Sequence, residues 1–286
     1  MSIVVTGATG ALGRLVVEEL LERVPADRIA AVVRDAGKAA DLAERGIELR
    51  VADYDDPAAL AAAFRAGDRV LLISGNEIGR RVAQHTAVIE AAAAAGVAQL
   101  AYTGILGGPE ADFELAAEHR ATEQAILDAG LPYTFLRNGW YHENYTRDLA
   151  GVLEHGAVLG SAGEGRVASA ARADYAAAAA VVLTGEGHVG QVYELSGDTA
   201  WSLSEYAAEV ARQSGKEVAY TELPARAHQE LLTGAGVPEA FAAILVDVDA
   251  AIGRGRLGST TGDLSRLIGR PTTPLARAIE TALAAS

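Results

Sequence analysis

The first 137 residues alternate short β-branched runs with alanine-rich stretches of helical spacing, and this alternation leaves few folds open. Strands are read at Ile3–Val5, Arg28–Arg34, Ile47–Val51, Arg69–Ile73, Gln99–Thr103 and Tyr133–Leu136. Between them, Leu12, Leu15, Val16, Leu20 and Val24 share one helical stripe, and further helices are read at Lys38–Arg45, from Pro57, at Arg81–Ala95 and at Ala111–Ala129. Gly46, Gly96 and Gly130 stand where helix stops belong, and Pro57 suits a first turn because its missing N–H would have no partner there. Strand–helix–strand units connect right-handedly and build a parallel sheet. The strand runs are apolar almost throughout, as strands covered by helices on both faces must be. The expected fold is α/β, a doubly wound parallel sheet.

After Asn138 the pattern loosens. A helix is read at Glu143–Leu153, a glycine-rich turn at Gly160–Gly165, and a helix to Leu183 with Asp174 as its N-cap. A strand follows at Val192–Leu195, a Ser202-capped helix to Gln213, a short strand near Val218–Tyr220, and helices around Ala225–Leu232, Pro238–Ile252 and Pro274–Ala284. We divide the chain into residues 1–150, a dinucleotide-binding domain, and 151–286, a smaller C-terminal α/β substrate lobe that returns a strand or two to the main sheet.

Composition removes several chemistries. The chain has 286 residues and no cysteine, so disulfides, thiol nucleophiles and thiolate metal sites are out. A net charge of −14 argues against nucleic acid or an anionic membrane as partner. The start lacks a positive region before an apolar stretch, and the most apolar internal run, Tyr175–Leu183, is about half the ~18 residues that suggest a membrane span. A cytoplasmic protein is expected. The six histidines show no ligand spacing, so no metal is expected, and a homodimer stays open.

Gly7-Ala8-Thr9-Gly10-Ala11-Leu12-Gly13 follows Thr6 at the end of the first strand and opens an amphipathic helix. Glycines there allow a tight turn and close backbone approach to a pyrophosphate, and the helix N-terminus offers free N–H groups to the anion. Strand, turn, helix and position agree, so a Rossmann-like dinucleotide site is expected. The second strand ends in Val33-Arg34-Asp35, with Lys38 one turn on. Arg34 and Lys38 favour the 2′-phosphate of NADP, while Asp35 could prefer a hydroxyl; NADPH is the expected cofactor. Ser74-Gly75-Asn76 ends the fourth strand at the carboxyl edge, where its backbone should lie near the cofactor ribose.

The G-x-x-G-x-x-G spacing resembles short-chain dehydrogenase/reductases, and Asp53 then resembles their acidic residue that bonds the adenine amino group; the other reading of Asp53 is a cap for the helix at Pro57. Those enzymes commonly use Tyr-x-x-x-Lys. Only Lys38 and Lys216 are present, and the residues four before them are Arg34 and Arg212, so the dyad is missing. Ala101-Tyr102-Thr103, Glu118-His119-Arg120-Ala121-Thr122-Glu123 and Leu136-Arg137-Asn138-Gly139-Trp140-Tyr141-His142-Glu143-Asn144-Tyr145 resemble the atypical, NmrA-like branch. With Ala170–Tyr175, Val192–Asp198 and Leu267–Thr273, the chain is most similar to type 2 NAD(P)H:quinone oxidoreductases over nearly its whole length.

The resemblance implies transfer of hydride from nicotinamide to a quinone-like acceptor without flavin or metal. His119 stands where several relatives carry lysine and could donate a proton near neutrality, its ordinary pKa being ~6.5; it could also be a satisfied interface histidine. Tyr102, Thr103 and Asn138 are expected at the nicotinamide, with Tyr102 alternatively a core residue. Gly139, Trp140, Tyr141, His142, Glu143 and Ser169 are expected to cover the cofactor's nicotinamide end. Trp140, Tyr141, Tyr145 and Arg172 are expected to take the substrate. A reduced quinone leaves as a phenolate-type anion, and phenols titrate near ~10, so a weak donor or water suffices. The rival readings are a non-catalytic NADP-binding redox sensor or regulator of the NmrA type, and a reductase of another small carbonyl, enone or imine.

Overall fold

The computed structural model describes residues 1–285. In chain order the first elements are β1 (Ile3–Thr6), α1 (Ala11–Leu21), β2 (Ile29–Val33), α2 (Ala40–Glu44), β3 (Glu48–Val51), α3 (Pro57–Ala63), β4 (Arg69–Leu72), α4 (Arg81–Ala95), β5 (Gln99–Ile105), α5 (Glu114–Asp128) and β6 (Tyr133–Asn138). Then come α6 (Glu143–Thr146), α7 (Leu149–His155), β7 (Ala157–Gly160), β8 (Arg166–Val167), α8 (Arg172–Thr184), β9 (Gln191–Leu195), β10 (Trp201–Ser202), α9 (Leu203–Ser214), β11 (Ala219–Glu222), α10 (Ala225–Gly234), α11 (Glu239–Gly253), α12 (Asp263–Ile268) and α13 (Leu275–Ala285).

Internal contacts group the chain into two interleaved units. The first holds Met1–Gly108, Glu118–Asn138 and Ala173–Glu194; the second holds Pro109–Ala117, Gly139–Arg172 and Leu195–Ser286. The first unit is built on a seven-stranded sheet of order β3-β2-β1-β4-β5-β6-β9. Neighbours from β3 through β6 pair in parallel. The order reverses at β1, which places the carboxyl ends of β1 and β4 at a topological switch point, the usual ligand edge of such sheets. All residues of β1, β2 and β5 are buried. Val4, Val32, Val70, Leu72, Leu100 and Phe135 pack with Leu60 of α3, Val88 of α4 and Ile126 of α5 in one core.

Local signals set most boundaries. Asp56 caps α3, its carboxylate accepting from Ala58 and Ala59 N–H, with Pro57 at the first position. Gly96 closes α4 in the left-handed region at φ 69°. In the second unit, Ser202 and Glu205 form the reciprocal box that starts α9. That unit also pairs β7 with β11 in parallel and β8 with β10 antiparallel.

Several expectations need correction. The α1 stripe ends at Leu21, since Pro25 lies just beyond and the residue before a proline avoids helical backbone. The single helix expected over 143–153 is two, α6 and α7, with a break at Arg147-Asp148. α5 starts at Glu114, three residues later than read, where the Glu114 N–H donates to the Asp247 carboxylate at 2.7 Å. Asp174 is not at the N-cap position of α8, which starts at Arg172. It lies inside the first turn, fully buried, and the Arg172 N–H donates instead to both carboxylate oxygens of Glu143 at 3.0 and 3.1 Å. Among the described residues no helix is long and apolar enough to cross a membrane.

Candidate dinucleotide and hydride-transfer site

The turn after β1 is shaped for a pyrophosphate. Gly7 has φ 60°, a conformation that side-chain-bearing residues rarely adopt. A Cβ on Gly13 would sit 2.3 Å from the Gly7 carbonyl oxygen and 2.7 Å from Ala8 Cα, so α1 packs onto its own turn only because that atom is missing. The N-terminus of α1 begins at Gly10 and has no side-chain cap, which leaves its N–H groups for an anion. Thr6 is fully buried, and its hydroxyl accepts from Ile73 N–H at 3.1 Å, tying the ends of β1 and β4. These features fit a dinucleotide phosphate.

The residues expected to select the cofactor follow β2. The Arg34 side chain is 68% exposed and reaches Glu77 at 3.4 Å, a weak surface pair that leaves the guanidinium available. Lys38 is exposed on the turn before α2. Asp35 is exposed, and one oxygen of its carboxylate accepts from Gly37 N–H at 2.8 Å on its own loop. Asp53 also serves its own loop, accepting from Asp55 N–H at 3.0 Å; it does not cap α3.

Ser74, Gly75 and Asn76 leave β4 beside β1, and β5 continues past Thr103 to Ile105. The Ser74 N–H donates to the Thr103 hydroxyl at 2.9 Å. Tyr102 is fully buried, with its hydroxyl 2.7 Å from His119 Nδ1 and its ring 5.5 Å from that of His85. Burial pushes the Tyr102 hydroxyl well above its ordinary range. His119 does not titrate near neutrality as expected: burial first, then the charges of Arg81 and His85, lower it to about 3. His85 is lowered to about 3 by burial and Arg81. Both rings are therefore neutral at pH 7. Asn138 closes β6, buried, and its carbonyl accepts from Leu106 N–H at 2.9 Å.

These two histidines set a pH dependence of stability. Their folded pKa of about 3 lies below the ordinary 6.5, so between those values the unfolded chain binds more protons. Their contribution is whole above pH 6.5 and is lost as pH falls toward 3. At pH 5 each removes about 2 kcal/mol. The urea midpoint is expected to fall between pH 7.5 and 5, and the His85→Gln/His119→Gln double variant should show a visibly shallower fall.

The remaining expected residues lie in the second unit. Trp140 and Tyr141 are half-buried. The Arg172 guanidinium lies 4.9 Å above the Tyr141 ring centre, so one face of that ring is covered by a cation. His142 Nε2 donates to the Thr273 carbonyl at 2.9 Å, and Nδ1 is hydrogen-bonded to the Ser169 hydroxyl at 2.8 Å. Ser169 in turn accepts from Trp201 Nε1 at 3.0 Å. The His142 and Ser169 side chains are thus spoken for within their unit, and the Glu143 carboxylate takes the Arg172 N–H at the start of α8. Tyr145 stands edge-on to Trp201 at 4.7 Å, its hydroxyl buried without a partner and held far above its ordinary pKa by burial.

Sequence reasoning missed a polar cluster beneath the β4 and β5 ends. His85 Nε2 accepts from Gly75 N–H at 3.0 Å, and Arg81 Nε donates to the Gly75 carbonyl at 2.7 Å. Arg81 also faces Glu118 at 3.4 Å. It missed, too, the Arg137 guanidinium, which grips Glu123 through Nε at 2.9 Å and through a terminal nitrogen at 2.7 Å, and Glu194 at 2.7 Å. Helical spacing on α4 placed His85 and Arg81 on one face, but nothing local said that the face met a loop.

Known proteins bear on this geometry. Residues 7–186 match the NAD(P)H-binding family model. Quinone oxidoreductase 2 of Escherichia coli (strain K12) is 49% identical over 277 residues, covering 97% of each chain. The crystal structure of the NADPH-dependent quinone oxidoreductase of Escherichia coli complexed with NADPH superposes with a TM-score of 0.96 at 48% identity, covering 98% of this chain and 99% of that one. The Citrobacter sp. triphenylmethane reductase complexed with NADP(H) gives 0.94 at 42% identity, covering 98% and 100%. With the phosphate turn, the strand order and this likeness over almost the whole length, the chain belongs to the NAD(P)H-binding family, in the NmrA-like branch that includes quinone oxidoreductase 2.

Proposed function

We propose that this chain is an NADPH-dependent reductase that passes hydride from nicotinamide to a quinone-like acceptor, without flavin or metal. The observation that carries the reading is 49% identity across 97% of the chain with quinone oxidoreductase 2. Bound NADPH supplies the hydride. The chain's own residues bind and orient. The α1 N-terminus takes the pyrophosphate, Arg34 with Lys38 takes the 2′-phosphate, and the Ser74–Asn76 backbone borders the ribose. Thr103 and Asn138 stand toward the nicotinamide end, and Trp140 and Tyr141 offer the aromatic surface for the acceptor.

The neutral His119 and the buried Tyr102 are poor proton donors at pH 7. A quinone tolerates this, because its reduced anion is a phenolate that water protonates. We assign His119 and Tyr102 to holding β5 and α5 in place, and catalysis to proximity of nicotinamide and acceptor.

The test is consumption of NADPH by the purified protein with 1,4-benzoquinone. Turnover above the uncatalysed rate is expected; tight NADPH binding without turnover would favour the sensor reading. Arg34→Asp should weaken NADPH binding by about 10- to 100-fold, the scale of a lost charge-assisted bond, and leave NADH binding little changed. Equal losses for both cofactors would remove Arg34 from the 2′-phosphate.

A further inference from the structure

The peptide units on either side of Gly75 are each held by a buried side chain of α4. The Gly75 N–H donates to His85 Nε2 at 3.0 Å and its carbonyl accepts from Arg81 Nε at 2.7 Å. Both holders are buried, His85 completely and the Arg81 side chain at 6% exposure. Each is held in turn. His85 Nδ1 lies 2.9 Å from the Thr122 hydroxyl, and Arg81 lies 3.4 Å from Glu118. Glu118 also accepts from Gly79 N–H at 2.9 Å, at the far end of the same loop. The two bonds hold the two successive peptide units that meet at Gly75, one through its N–H and the next through its carbonyl, and each unit is rigid. Burying an arginine and a histidine under a loop costs desolvation that a simple turn avoids.

We propose that His85 and Arg81 are positioning residues for the cofactor: they lock the two peptide units flanking Gly75 so that the Ser74–Asn76 backbone meets the dinucleotide without rearranging. The inference rests on the reading that this loop borders the ribose. Only a neutral imidazole can accept at Nε2, and burial beside Arg81 keeps His85 in that form. A loop already fixed binds more tightly because less ordering remains to be done on association.

The experiment uses the full-length protein with His85→Gln and His85→Asn. Glutamine carries its carbonyl oxygen at about the reach of Nε2; asparagine stops one bond short. NADPH dissociation constants come from nicotinamide fluorescence, with KM and kcat for benzoquinone reduction alongside. His85→Asn is expected to bind NADPH about tenfold more weakly, the factor set by a buried N–H without an acceptor. The NADPH KM should rise with it while kcat at saturation stays within about twofold. His85→Gln should restore the parent constant. Parent-like binding by His85→Asn, or equal losses in both variants, overturns the proposal. Hydrogen exchange of the parent tests the underlying reading separately: NADPH should protect the amides of the 74–79 segment. No protection would overturn the loop's place at the ribose, and the positioning role with it.

Discussion

Gly13→Val is expected to weaken NADPH binding by about a hundredfold or more while the chain keeps its far-UV circular dichroism. A Cβ at this position meets backbone: the Gly7 carbonyl oxygen at 2.3 Å, Ala8 Cα at 2.7 Å and the Gly7 carbonyl carbon at 2.9 Å. No side-chain rotation relieves such a clash, so α1 must move off its turn. Forced packing of this kind costs about 1–3 kcal/mol. The same shift turns the uncapped N–H groups away from the pyrophosphate. Gly13→Ala separates local from tertiary causes. Alanine is a better helix former than glycine by about 1 kcal/mol, so helix propensity alone favours it. The close approach opposes it, and we expect weaker NADPH binding and a lower Tm. Titration of nicotinamide fluorescence reads both variants; parent-like affinity in Gly13→Val would take the pyrophosphate away from this turn.

Arg137→Met is expected to destabilise the protein by about 3–5 kcal/mol, the cost of leaving a buried charge without its partner. The Glu123 side chain is 6% exposed and receives both arms of the guanidinium; the Arg137 side chain is 13% exposed. Glu194, the second partner, also accepts from Gly107 N–H at 2.7 Å, so the cluster ties β6 to α5, β9 and the turn after β5. The Tm should drop by about 10 °C. The Arg137→Met/Glu123→Leu double variant should recover part of the loss, because only the more exposed Glu194 is then left without its cation. A Tm within a degree or two of the parent for Arg137→Met would show that the pair is energetically idle.

How much of this was legible beforehand depended on the reach of each interaction. The α4 bounds at Arg81 and Ala95, the left-handed Gly96, the Ser202 box and the phosphate turn are set by atoms within a few residues, and the sequence carries those signals openly. Parallel pairing follows from strand–helix alternation, whereas the strand order with its reversal at β1 came from the tertiary structure. Arg34 stands exposed just past the end of β2, where its place in the sequence put it.

What stayed hidden depends on partners far along the chain. The Arg172 N–H at the start of α8 is taken by Glu143, which lies 29 residues back in the chain. His119 reads as a proton donor from its pKa in water, yet burial under Tyr102 and beside Arg81 makes it a neutral strut. The clamp on Gly75 joins residues six and ten apart through a loop that folds back on α4. By itself the sequence determined the sheet, its helices and the anion-binding turn, because these rest on local geometry and hydrophobic period. Only the tertiary structure decided which polar groups are charged, which are already satisfied and which remain for a ligand, because desolvation and long-range hydrogen bonds exist only once the chain has closed around them.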